Sequence, residues 1–113
     1  MEGNYIMNYE NAVQNVLDYM VKDYSRWSSG KDMPLPTYVI ESGRSYDKIV
    51  KICGYNQSQS CAGFICRKDN PKKGFKIGDL LMSAGWSAPA TNFTRGNIFE
   101  DNALNRVRWT GVL

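Results

Sequence analysis

The chain has 113 residues, 42% of them hydrophobic, with three cysteines, no histidine and a net charge of +3. That length predicts a single domain over residues 1–113, and a domain of this size buries about two-thirds of its unfolded surface, enough to fold without a metal or a disulfide. The missing histidine excludes Ser–His and Cys–His nucleophile pairs, no run of about 18 apolar residues marks a membrane span, and the acidic start MEGNYIMNYENA is unlike a secretory signal, so a cytoplasmic location is expected.

Residues 8–27 carry helical periodicity. Val13, Val16, Leu17, Met20, Val21 and Tyr24 recur at i, i+3, i+4 spacing and form one apolar face. Asn8 is placed to cap the start, and SSG at 28–30 to stop the helix. KDMPLP at 31–36 reads as a linker, because two prolines two residues apart resist both helix and central strand. The period then changes. TYVIE (37–41) predicts a strand and SGRS a turn; YDKIVKIC (46–53) predicts a second strand whose Asp47, Lys48 and Lys51 put one face toward water. GYNQSQS (54–60) is a polar loop. CAGFICR (61–67) is apolar almost throughout, as a central strand is. KDNPKKG (68–74) is a turn, and FKIGDLLMSAG (75–85) predicts one or two strand pieces bent at Gly78. AGWSAPATNFTRGNIF (84–99) has neither period and reads as an irregular loop. In the last stretch Val107 and Trp109 alternate with Arg106 and Arg108, which predicts a terminal strand with its bases outward. The fold class expected is α+β: one N-terminal amphipathic helix packed on a meandering antiparallel sheet of about four to six strands, residues 37–113 forming the sheet region.

Cys53, Cys61 and Cys66 are odd in number and read as free thiols; with no histidine to complete a ligand set, no metal and no cofactor are expected. Charge is uneven: residues 1–36 hold five acids and three bases, residues 37–113 six acids and eleven bases. The larger segment is therefore where an anionic partner is expected. Lys48 and Lys51 share a strand, Arg67, Lys68, Lys72, Lys73 and Lys76 surround a turn, and Arg106 and Arg108 lie near the end. Converging, they would make a field suited to phosphates; the plainer reading is a solvated basic face that keeps an edge soluble.

The irregular loop divides in the same way. Trp86 and Phe93 are candidates for stacking on a base, Arg95 for clamping a phosphate, and Asn97 for reading an amide or base edge. On the competing reading Trp86, Pro89, Phe93, Ile98 and Phe99 form a lid over the sheet, with Gly96 supplying a positive φ in the turn. Thr94, Arg95 and Asn97 are then the residues left without a structural task. No spacing joins any two of Glu41, Asp47, Asp79 and Glu100 into an acid–base pair, so an enzyme is not expected. Tyr5, Tyr9, Tyr19, Tyr38 and Tyr55 exceed what so small a core holds and are of the type that dominates protein interfaces; free sheet edges would also favour a homodimer.

Tyr46-Asp47-Lys48-Ile49, then Gly78-Asp79, then Trp86 with Ala88-Pro89-Ala90, then Arg95-Gly96-Asn97 form a series. Over residues 37–99 it resembles a group of small proteins encoded by tailed bacteriophages. The resemblance implies a phage origin and a bacterial cytoplasm, and no mechanism. Small phage proteins without enzymatic motifs are commonly nucleic-acid accessories or inhibitors. The function expected is therefore non-enzymatic binding of nucleic acid or a nucleotide through the basic sheet face and residues 86–97. The alternative is an inhibitor of a host or anti-phage defence protein, such as an anti-CRISPR, acting through a tyrosine-rich charged surface.

Overall fold

A computed structural model describes residues 8–28 and 34–113. Tyr5, the helix stop at residues 29 and 30, and the first half of the linker lie outside the described residues. Helix α1 runs Tyr9–Ser28, one residue past the predicted end. The Asn8 side-chain oxygen accepts the Asn11 N–H at 2.8 Å, closing one of the free amides of the first turn. Glu10 in the first turn and Arg26 in the last complement the helix dipole. The buried face carries Ala12, Val13, Val16, Leu17, Met20 and Tyr24, largely the residues that the helical spacing selects.

Four antiparallel strands form the main sheet in chain order: β1 (Thr37–Ser42), β2 (Tyr46–Cys53), β3 (Ser58–Cys66) and β4 (Leu80–Leu81). β5 (Val107–Arg108) and β6 (Gly111–Val112) make a separate hairpin. The α+β class and the meander are as expected, but two strands are shorter than their patterns imply. Residues 75–85 contribute only Leu80–Leu81 to the sheet. The single terminal strand is instead a hairpin, in which Val107 and Val112 pair and turn inward while Arg108 stays outside.

Side chains alternate across a strand, so the sheet has two faces with different tasks. Tyr38, Ile49, Ile65 and Leu80 pack under α1 together with Ile98, Val107 and Val112. The opposite face gathers Phe64, Cys66, Phe75 and Leu81, with Tyr46 against them. Full burial of aliphatic side chains such as Ile49, Ile65 and Leu80 is worth about 1.5–3 kcal/mol each. A bulge marks β3: Ile49 pairs with Gly63 and Val50 with Cys61, leaving Ala62 as the extra residue. Two long-range bonds tie the layers together. The Tyr38 hydroxyl donates to the Trp109 carbonyl at 2.5 Å, and the Trp109 N–H donates to Asp23 of α1 at 2.8 Å.

The three cysteines carry free thiols. Cys53 stands opposite Ser58 and Cys61 opposite Val50, so the pair flanking the β2–β3 turn is out of register. Burial, with the nearby Asp79 carboxylate adding to it, pushes the Cys66 thiol up to about 12. A thiol reagent at mildly alkaline pH is accordingly expected to leave Cys66 unmodified in the folded protein and to reach all three cysteines once it is unfolded. Peptide mass mapping of the labelled sites checks this, and rapid native labelling of Cys66 would contradict it.

Candidate nucleic-acid interface

The irregular segment inverts the sequence reading. Trp86, Phe93 and Phe99, expected as a lid, are 46%, 49% and 42% exposed, whereas Arg95 and Asn97, expected at the surface, are 6% and 3% exposed. Of the apolar set only Ile98 joins the core. The cause is backbone pairing. Residues 95–98 return alongside β4: Leu80 N–H donates to the Gly96 carbonyl, Arg95 N–H to the Leu80 carbonyl, and Ile98 N–H to the Gly78 carbonyl. That pairing turns Asn97 inward. Its side-chain NH2 donates to the Ile77 carbonyl and to Asp79, each at 2.9 Å, and its oxygen accepts the Phe99 N–H at 2.9 Å. Its amide is wholly used within the chain and is not offered to a base.

Arg95 is likewise held inside. One guanidinium NH2 donates to the Phe93 carbonyl at 3.1 Å, the guanidinium carbon lies 3.9 Å from the centre of the Phe93 ring, and Nε is buried without a hydrogen-bond partner. Burial, and secondarily Arg106, lower its pKa from the ordinary arginine value. Thr94 is the residue of this set that remains exposed, its hydroxyl donating to the Gly96 carbonyl at 2.8 Å.

The bases do not form one sheet face. Lys48 and Lys51 are three residues apart on an unbulged strand and so project from opposite sides. Lys51 reaches the Trp109 ring, 4.8 Å from its centre, on the helix side. Arg67 is on that side too, its Nε 3.4 Å from Asp47, whose other oxygen accepts the Tyr9 hydroxyl at 2.7 Å. Burial and then Asp47 raise the Tyr9 pKa. Arg106 donates to the Leu113 carbonyl, and Arg108 to the carbonyls of Asn105 and Val107. Lys76 is paired with Glu100 at 2.6 Å. Together Lys76, Arg95, Asn97 and Arg106 border one polar groove of about 650 Å³, which Asp79 and Glu100 also line. Lys73 is exposed in the 68–74 turn.

The remaining candidates do converge. On the face away from α1, Lys48 lines a hollow of about 410 Å³, and Lys68 and Lys72, with Asp69, line another of about 280 Å³; the two meet at Ser45 and Tyr46, and Trp86 lies against Lys48. The short turn between β1 and β2 adds Arg44. Tyr46 lies between the hollows with its ring edge-on to Phe64, centroids 6.2 Å apart. Lys48 Nζ sits 3.8 Å from the centre of the exposed Trp86 ring and 3.5 Å from Glu41. Arg44 and Tyr46 carry no binding signal in the sequence. SGRS reads as a turn and nothing more, although a tight turn between paired strands is where an arginine is thrust outward. Each of the four carboxylates has a structural partner: Glu41 has Lys48, Asp47 has Tyr9 and Arg67, Asp79 has Asn97, and Glu100 has Lys76.

The fold and surface define a small α+β domain, one helix over an antiparallel meander, with cations and aromatic rings gathered on the side of the sheet away from the helix. The chain belongs to the family of unknown function DUF7717, whose model matches residues 2–113. No curated protein and no solved structure matches it. Among the described residues no helix is long and apolar enough to cross a membrane.

Proposed function

We propose that this is a small phage-encoded, non-enzymatic protein that binds single-stranded nucleic acid, or a nucleotide, along the track from Trp86 and Lys48 past Arg44 and Tyr46 to Lys68 and Lys72. The observation that carries this reading is the junction of two hollows at Ser45 and Tyr46, lined by four cations against the two carboxylates Glu41 and Asp69, with the exposed Trp86 ring lying on Lys48 beside them. Cations spaced along a groove follow a phosphate backbone, and interleaved rings accept bases by stacking whatever their sequence. Relative to the sequence expectation, the proposed contact moves from Arg95 and Asn97 to Arg44 and Tyr46.

Salt dependence tests it. Lys48, whose side chain is 14% exposed, is held by Glu41 and Trp86; with Arg44, Lys68 and Lys72 meeting phosphates, log affinity for labelled oligothymidylate is expected to fall with log salt at a slope of about −2, the single-strand slope being about −0.7 per contact. Lys68→Ala with Lys72→Ala is expected to flatten that slope by about 1.4. Trp86→Ala should weaken binding by about 1–3 kcal/mol at any salt, as loss of one stacked base does. Lys51→Ala, on the other face, should change neither. Fluorescence anisotropy reads all four. Absence of binding to any single strand or nucleotide at low salt would sink the proposal.

A second reading is an inhibitor of a host or defence protein. It is favoured by the surface where the exposed Trp27 ring meets Trp109, centroids 4.8 Å apart, with Tyr24 beside both. Capture of one stoichiometric protein from host lysate, lost with Trp27→Ala, would support that reading over the first.

A further inference from the structure

Strand β1 is one edge of the sheet, the other being β4, alongside which residues 95–98 are bonded. The phase of its ladder is set at the turn, where Gly43 N–H donates to the Tyr46 carbonyl at 2.8 Å. Hydrogen-bonded and non-hydrogen-bonded pairs alternate in an antiparallel ladder. Thr37, Val39 and Glu41 therefore bond to Ile52, Val50 and Lys48. The N–H and C=O groups of Tyr38, Ile40 and Ser42 point away from β2, and no hydrogen bond from the described residues reaches them. Natural edges are closed by proline, lysine, bulges or extreme shortness. TYVIES has no proline and no lysine, pairs with β2 in unbroken register over six residues, and leaves Val39 38% exposed.

We infer that β1 is an interface between two copies of this chain, paired antiparallel with Ile40 on the two-fold axis. A strand related to itself by a two-fold axis presents the same patch to itself. In this register Ile40 meets Ile40, and Tyr38 meets Ser42 on either side. Each hydrogen-bonded pair exchanges two bonds, so the three pairs supply about six. Charge on the strand permits self-pairing. Glu41 is the one charged side chain of β1, it lies opposite Val39 rather than its own counterpart, and Lys48 of its own chain stands 3.5 Å from it. The two meanders become one sheet with both helices on the same side. The inference rests on the strand alone and not on the nucleic-acid reading. If both hold, two tracks lie side by side on one face.

Light scattering after gel filtration, without nucleic acid, is expected to give twice the 12.8 kDa chain mass at high concentration and the single mass on dilution. Val39→Glu sets an acid against Glu41 across the axis twice per dimer and is expected to weaken association about tenfold. Ser42→Pro removes an outward N–H while leaving the β2 ladder intact and should do the same. Circular dichroism and thermal midpoint verify that both variants fold. Amide exchange gives a finer reading. Protection at Tyr38, Ile40 and Ser42 should rise with protein concentration, while that at Thr37, Val39 and Glu41 stays constant. A monomer at every concentration overturns the inference, even if an added foreign peptide protects the edge. So does a dimer that both folded variants leave unchanged. Either result leaves the affinity of the track for oligonucleotides to be judged separately.

Discussion

Asn97→Ala is expected to lower folding stability by about 3 kcal/mol, read from the denaturant midpoint at constant slope. Asn97 is 3% exposed and Asp79 also 3% exposed, so water does not replace what the substitution removes. Three hydrogen bonds go at once: those to the Ile77 carbonyl and the Asp79 carboxylate, and the one from the Phe99 N–H. An ordinary bond contributes about 1 kcal/mol net and one to a charged group about 1.5–3 kcal/mol, while an orphaned buried partner adds its desolvation. Asp79 keeps only the Lys76 N–H at 2.9 Å among the donors shown for its carboxylate. Asn97→Asp sharpens the test. It sets a second carboxylate within hydrogen-bond reach of Asp79, where two like charges cannot both ionise cheaply. The folded-state pKa of the pair is raised above the unfolded value, so the folded state binds more protons and stability rises as pH falls. Asn97→Asp should therefore be worse than alanine near pH 7 and recover part of the deficit on acidification through the carboxylate range. If Asn97→Ala costs less than about 1 kcal/mol, the side chain is not a structural pin, and a binding role regains force.

That residue also shows where sequence reading stops. Helix α1 is legible because its burial repeats with the helical period, and β1 and β2 because their composition and punctuation agree with their pairing; β3 is legible only from Cys61, since the polar Ser58–Ser60, which reads as loop, pairs with Lys51–Cys53 and starts the strand. Residues 95–98 pair along β4 with no period of their own, since a two-residue strand is too short to show alternation. Without that pairing in view, hydrophobicity assigns Trp86 and Phe93 to the inside and Arg95 and Asn97 to the outside, the reverse of what the backbone bonds impose. The track was half legible for a related reason. Lys68, Lys72 and Trp86 are conspicuous by type, but the fold of the 68–74 turn is what brings Lys68 and Lys72 beside Tyr46, and Trp86 joins them only through its contact with Lys48. Lys48 and Lys51 illustrate the opposite error, since neighbours in sequence on a strand lie on different faces.

Gly111→Ala is expected to destabilise more than any other glycine-to-alanine change tested beside it, by about 3 kcal/mol or more. Gly111 has φ +140°, and a Cβ there would lie 2.6 Å from the Ala62 carbonyl oxygen. That oxygen belongs to the bulge of β3, so it is main chain and cannot rotate aside. The approach is what lets the β5–β6 hairpin lie directly on the sheet, with Val112 over Gly63. Backbone conformation and crowding separate cleanly in two companions. Gly74 has φ +76° with nothing within 4 Å of the added Cβ, so Gly74→Ala carries the conformational cost alone, about 1 kcal/mol. Gly85 has open space and no left-handed φ, so Gly85→Ala should be neutral or stabilise by a few tenths up to about 1 kcal/mol through the unfolded chain. Chemical denaturation of the three variants should rank them in that order. Equal losses at Gly74 and Gly111 would mean that the hairpin does not press on the bulge, and that the tie from Asp23 through Trp109 to Tyr38 is what holds the C-terminus to the sheet.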